Sequence, residues 1–286
     1  MWIQSRDFTA EQLRRFAELQ RAVYGVLEAV AETLRPEVTE REVARRIHRT
    51  LRSELGMKSY FHVPVALFGE RTAYPGKFGQ LEALPTERRL QAGEVAILDC
   101  APIIEGYTID CSMAWAPPAS PAARTFAEAD GLLQRLRGLI LARARGDAGQ
   151  RGNMRDIARE VDRTITEAGF ENCHRKHIAA VLGHRVMRSE SPRLDRARVW
   201  GLGVIPATWF LATTAWANRK HPAATPNWNH TRHSNAPLQP GLWAVEPHVA
   251  RDGVGVKFEE MLLVTDDDVR FLDDELAHTR RWQRAA

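Results

Sequence analysis

Two aspartates, Asp99 and Asp110, stand eleven positions apart inside the apolar stretch EVAILDCAPIIEGYTIDCSMAW at residues 94–115. The stretch reads as two apolar runs joined by a short turn, with one carboxylate inside each run. A turn at Ile104–Glu105 predicts an antiparallel hairpin in which Asp99 and Asp110 are direct cross-strand neighbours, their β-carbons roughly 4.5–5.5 Å apart. Like charges so placed repel, and a carboxylate buried without a partner costs more still. With neighbours as apolar as Val95, Ile97 and Leu98, the pair calls for a cation, a shared proton or an arginine.

A second pair lies near the other end, in LWAVEPHVARDGVGVKFEEMLLVT at residues 242–265. Asp252–Gly253 is a strong two-residue turn signal, and the hairpin it closes sets Glu246 opposite Glu259. Glu260 competes for the same role, but strand alternation turns only one of the two inward, and the register favours Glu259. Four inward carboxylates carry a charge that two divalent cations balance. An oxygen-rich site with one imidazole suits Mn²⁺, Fe²⁺, Co²⁺ or Zn²⁺, and two such ions hold a hydroxide and polarise a carbonyl. The imidazole is best supplied by His184 in AVLGHRV, where the preceding glycine allows a close approach of backbones.

The elements that must position these groups repeat. From Thr9 to Leu34 apolar residues recur every three or four positions as one face of a long helix, which Arg35–Pro36 stops. Thr39 and Glu42 form a capping-box pattern for a second helix with Val43, Ile47, Leu51 and Leu55 inward, closed by Gly56. A strand at Tyr60–Leu67 and a turn-rich connection from Gly69 to Pro85 lead into the first hairpin, which Pro117–Pro118 close off. Ala122–Arg145 then reads as a helix, and Asn153 caps a shorter one ending at Gly169. Each half thus runs helix, helix, hairpin, and two carboxylate pairs in matching places of a repeat point to one metal centre. Between Arg185 and Pro240 lies the least regular part, with Trp200, Trp209, Trp216, Trp228, His221, His230 and His233. It is expected to be a long covering loop packed on the core, with a lid or substrate wall as the functional reading.

At 286 residues, 44% hydrophobic and 27% charged, the chain has the composition of a globular protein with a sizeable core. No stretch approaches a membrane span, and MWIQSRDFTAEQ lacks the apolar core of a signal peptide. Three cysteines make no disulfide framework, so a cytoplasmic protein is expected. The net charge of +4 comes from arginines scattered among acids, with only five lysines and no basic run, so no nucleic-acid partner is expected.

The motifs LRPEVTEREVA, LFGERTAYP, LQAGEVAILDCAPIIEGYTIDCS, LGHRV, LQPGLWAVEPHV and VKFEEMLLVT together resemble the pita-bread metallopeptidases: methionine aminopeptidases, Xaa-Pro aminopeptidases and dipeptidases, and creatinase. The resemblance covers nearly the whole chain. It implies an α+β pita-bread fold, two pseudo-symmetric helix-helix-hairpin halves around a curved antiparallel sheet, as one domain over residues 1–286. The halves would be 1–120 and 121–286, the second carrying the Trp-rich insertion at about 185–240. The order Asp, Asp, His, Glu, Glu of that family's ligand set implies metal ligation by Asp99, Asp110, His184, Glu246 and Glu259, two divalent ions, and a homodimer. It also implies hydrolysis of a peptide or small amide, with Glu246 as general base. Arg185 and Arg188 are candidates to meet a substrate carboxylate, against a structural role for both.

Two departures stand against this. The family's peptidases carry a histidine in the connection before the first metal aspartate, where this chain reads TAYPGKFGQ, and a second one seven residues after the ligand histidine, where it has Ser191. His62, His221, His230, His233 and His248 are candidates to replace them in space. The alternative is a pita-bread protein without peptidase activity, used for binding or for other metal-dependent chemistry on a small molecule.

Overall fold

A computed structural model describes residues 3–76, 79, 81–146, 150–177, 180–190, 198–199, 202–221 and 224–285. After a short strand β1 (Ile3–Gln4) comes helix α1 (Ala10–Glu32). It starts where it does because the Thr9 hydroxyl accepts the Gln12 N–H while the Gln12 side chain accepts the Thr9 N–H, a reciprocal cap. Helix α2 (Glu40–Leu55) is capped the same way by Thr39 and Glu42, and it ends on Gly56 in the left-handed conformation. Strand β2 (Ser59–Phe68), a 3₁₀ turn (Gly69–Ala73), β3 (Ala96–Ile104), β4 (Tyr107–Thr108) and β5 (Cys111–Trp115) complete the first half.

The second half opens with α3 (Ala123–Arg145) and α4 (Met154–Glu167), the latter capped by the Asn153 carboxamide, which accepts from the Arg155 and Asp156 amides. Short strands β6 (Glu171–Asn172), β7 (Val181–Arg185), β8 (Arg188–Ser189), β9 (Arg198–Val199) and β10 (Leu202–Gly203) follow. They lead into helix α5 (Val204–Lys220), β11 (Asn227–Asn229), β12 (Gly241–Val245), β13 (His248–Arg251), β14 (Val254–Val264), β15 (Val269–Phe271) and helix α6 (Ala277–Ala285).

The main path of the sheet runs β1-β8-β4-β3-β5-β14-β12-β7-β11, and the two hairpins join where β5 pairs β14. The helices cover the sheet with two apolar clusters. One gathers Phe16, Leu27, Val43, Ile47 and Leu98, the other Leu133, Ile140, Ile157, Trp228 and Phe258, all buried. Each such side chain contributes roughly 1.5–3 kcal/mol on leaving water. At the seam Tyr24 of α1 is fully buried, its hydroxyl 2.6 Å from the Glu259 carbonyl and 2.9 Å from that of Ser112, which ties the first helix to both halves at once.

The segment expected to be an irregular loop contains the 17-residue helix α5. Its sequence VIPATWFLATTAWANRK has no polar face to set a helical period, so periodicity alone could not mark it. Trp228 is a core residue, stacked edge-on against Trp243, whereas Trp216 of α5 is half-exposed and packs on His221. Trp200 lies outside the described residues.

Candidate metal centre

Three adjacent strands set the floor of the site. Asp99 of β3 pairs with Ser112 of β5, and Ser112 pairs with Glu259 of β14, so two acids stand in one row with a small residue between them. The direct pairing of Asp99 with Asp110 expected from the sequence is not what forms. The turn is at Glu105–Gly106, both with positive φ (53° and 86°), one position later than expected, and this moves every cross-strand partner by two. A shift of two preserves the face of each side chain, so Asp110, in the break between β4 and β5, still points to Asp99's side. The second hairpin keeps the expected register: Val245 pairs Glu260 and His248 pairs Lys257, which leaves Glu246 opposite Glu259, and the turn residues Asp252 and Gly253 both have positive φ.

His184 comes in on β7, opposite Ala244 of β12. A β-carbon on the preceding Gly183 would lie 2.4 Å from the Ala244 carbonyl oxygen, so only glycine lets β7 approach this closely. Glu260 is turned the other way: its carboxylate takes the Arg137 guanidinium in two hydrogen bonds and lies 3.2 Å from His278. It holds α3 and α6 to the sheet.

All five expected ligands converge. His184 Nε2 lies 3.2 Å from Asp110 Oδ2 and 3.5 Å from Glu259 Oε1. Two further groups join them. His62 Nε2 lies 3.0 Å from Asp110 Oδ1 and 3.4 Å from Asp99 Oδ1. Lys257, on the same face of β14 as Glu259, donates to Asp99 Oδ2 at 2.8 Å and Glu246 Oε2 at 3.0 Å, and stands 3.5 Å from Glu259 Oε2. Among the described residues two trios of donors, His62–Asp99–Asp110 and Asp110–His184–Glu259, have ligand atoms within 4.8 Å of one another.

The sequence signal for Lys257 was present: strand alternation puts it inward with Glu259. Of the five histidines offered as replacements, only His62 reaches the acids. His230 hydrogen-bonds Arg175, His221 packs on Trp216, His248 donates to the Thr72 carbonyl, and His233 sits in a 3₁₀ turn at Arg232–Ser234. Ser191 lies outside the described residues. Arg185 is half-buried, its guanidinium 4.2 Å above the Trp243 ring and bonded to the Pro240 carbonyl, and Arg188 lies over Tyr107, so both serve packing.

The electrostatics fit a cation site. Burial works to raise the Asp110 carboxyl, but His62 and His184 hold it well below the usual carboxylate range. Burial and the charges of Asp110 and Glu246 push Glu259 up to about 8, the mark of more negative charge than its surroundings neutralise. Lys257, despite burial, is held as an ammonium by Asp99, Glu246 and Glu259. Asp99 Oδ1 is a buried oxygen with no hydrogen-bond donor. Four carboxylates and an orphaned oxygen, with two imidazoles that the same acids hold protonated and that give up those protons to a metal, make a donor set suited to divalent cations.

A fold of two helix-helix-hairpin halves with acids and imidazole gathered between the hairpins is the α+β pita-bread architecture. The model of metallopeptidase family M24 matches residues 14–266, and the chain belongs to that family. Its structure is similar to an X-Pro aminopeptidase from Thermotoga maritima (TM-score 0.64, 16% identity, 93% of this chain and 62% of that one). It is likewise similar to the prolidase from Pyrococcus horikoshii (0.63, 16%, 95% and 65%) and to a His361Ala aminopeptidase P from Escherichia coli (0.59, 14%, 97% and 60%). The chain spans less than two thirds of the length of these proteins. No curated protein matches it. No described helix is long and apolar enough to cross a membrane.

Proposed function

We propose that the chain is a metal-dependent hydrolase of a peptide or small amide, holding two divalent cations of the Mn²⁺, Fe²⁺, Co²⁺ or Zn²⁺ class between its hairpins. One observation carries this reading: Asp110 turns Oδ1 to one imidazole and Oδ2 to the other, so a single carboxylate belongs to both donor groups. The family likeness offers Asp99, Asp110, His184, Glu246 and Glu259 to hold the ions, and His62 stands beside them. When bound, such ions polarise an amide carbonyl and supply a water of lowered pKa.

The chain's own groups do the rest. Glu246, oriented by Lys257 and kept ionised by it against burial, is the group able to accept a proton as general base. Phe61 and Phe210 pack against the His184 ring at 5.8 Å each and form an apolar wall that excludes water from that side. Similar structures bear the names X-Pro aminopeptidase and Xaa-Pro dipeptidase, so Xaa-Pro peptides head the substrates to test, with Met-Xaa peptides and small amides after them.

A second reading, metal chemistry or binding without peptidase activity, is favoured by the connection TAYPGKFGQ, where the family's histidine is missing and Tyr74 packs edge-on against His248. The deciding experiment is mass-spectrometric detection of cleavage by metal-loaded protein over that panel. Hydrolysis abolished in Glu246→Gln supports the first reading. Metal uptake with no cleavage of any member moves the protein to the second.

A further inference from the structure

The ligand set implied by family likeness has one histidine and two glutamates. The side chains of this chain sort differently. Two donors that share one ion at roughly 2.0–2.2 Å are themselves roughly 3.0–3.5 Å apart. His62 Nε2 meets that spacing with Asp110 Oδ1 (3.0 Å) and Asp99 Oδ1 (3.4 Å). His184 Nε2 meets it with Asp110 Oδ2 (3.2 Å) and Glu259 Oε1 (3.5 Å). Glu246 belongs to neither trio. Its Oε2 is 3.0 Å from the Lys257 ammonium, which also takes Asp99 Oδ2, the oxygen that faces away from His62.

The backbone supports the same division. The pairing of β2 with β3 slips on both sides of His62, between Tyr60 and His62 and again between His62 and Val65. Bulges of this kind re-aim a side chain, and they concentrate beside functional sites. Without them the alternation of β2 would not aim this imidazole at the acids of two other segments. Its Nδ1 lies 3.0 Å from the Val63 carbonyl and donates to it, while Nε2, which donates to Asp110 Oδ1 in the metal-free centre, is the nitrogen free to ligate once its proton is released.

We propose that His62 is a metal ligand and Glu246 is not: each of two ions takes one imidazole, His62 or His184, with Asp110 shared between them, and Lys257 is the fixed cation that holds Glu246 out of the ligand set. This rests on the reading above that the centre holds metal. A set with two imidazoles favours Zn²⁺ or Co²⁺ over Mn²⁺ more than a set with one does.

The test uses the full chain, stripped and then titrated with Zn²⁺. Bound zinc is counted by elemental analysis, imidazoles per zinc are read by X-ray absorption, and folding is followed by circular dichroism. Wild type is expected to take two zinc ions with one imidazole each on average. His62→Phe and His62→Gln are expected to lose affinity for one ion by about 100-fold or more, since loss of a ligand costs at least as much as loss of its supporting shell. The remaining ion should keep its imidazole. Glu246→Gln should still bind two. The assignment is overturned if folded His62 variants bind two ions as tightly as wild type with the imidazole count unchanged, or if Glu246→Gln loses an ion. A wild type that takes up no zinc, cobalt or manganese overturns this assignment and the hydrolase reading together.

Discussion

The ammonium of Lys257 stands 3.0 Å from the carboxylate of Glu246, across the hairpin that closes the second half of the chain. Both groups are buried, and the same ammonium reaches Asp99 at 2.8 Å. One cation on β14 therefore gathers acids from both halves. Removing it leaves those acids uncompensated, which typically costs about 3–5 kcal/mol. Lys257→Met is expected to lower the stability of the metal-free protein by that amount in urea titration. Added Zn²⁺ should then restore more stability to the variant than to wild type, because the freed oxygens bind the ion and ligand binding to the folded state adds directly to stability. Equal zinc stabilisation of both proteins would show that Lys257 does not compete with metal.

Glu40 is a second buried charge, remote from the centre's chemistry. One of its oxygens accepts the Arg71 guanidinium at 2.8 Å and the Phe68 amide at 3.1 Å; the other accepts the Thr86 amide at 3.0 Å and hydroxyl at 2.7 Å. It fixes the first turn of α2 to the end of β2 and to the connection leading to β3. Glu40→Ala takes the charge partner from the half-buried Arg71 and orphans two amides, so a loss of about 3–5 kcal/mol is expected. Calorimetry should show the lowered melting temperature. Zinc stoichiometry should remain that of wild type.

These two residues also mark what the sequence could and could not tell. The capping box at Thr39 and Glu42 was legible because it is a local exchange of hydrogen bonds three residues apart, while Glu40 beside them acts on residues 28 to 46 positions away. The second hairpin was legible to the residue because Asp252–Gly253 admits one turn. In the first, Glu105–Gly106 took the positive φ angles, and the register moved by two. His62 looked like any residue of a strand, since the slips that aim it depend on pairing with β3. Helix α5 was hidden by apolar residues on every side.

The cysteines give a pH-dependent prediction. All three are buried. Burial pushes the Cys173 thiol up to about 12, and Cys100 and Cys111 are raised by burial and by the nearby Asp99 and Asp110 carboxylates. At pH 8 a thiol of that pKa is thiolate only about one part in 10⁴, and thiolate is the reactive form. Native protein is expected to resist a disulfide reagent at pH 8, and unfolded protein to yield three equivalents. The folded state keeps the proton that the unfolded thiol begins to lose near pH 9. Stability from this source is complete below that pH and falls as pH rises. Cys173→Ala should flatten the alkaline limb of a stability profile.

Phe210 connects helix α5 to the chemistry. Its ring meets His184 edge-on at 5.8 Å and Phe61 at 5.4 Å, while Leu211 and Trp216 on the same helix are exposed. A helix that leaves large apolar residues in water yet sends one ring onto a candidate metal ligand suits the wall of a substrate pocket better than a core element. Phe210→Ala removes that ring and leaves every acid and imidazole of the centre in place in the sequence. For whichever amide of the panel is cleaved, KM is expected to rise about tenfold with kcat within a factor of a few, the pattern of lost uniform binding. Zinc content should be unchanged. A fall in kcat with KM unchanged would instead assign Phe210 to holding the His184 ring, because only then would its loss reach the reacting centre and leave substrate affinity intact.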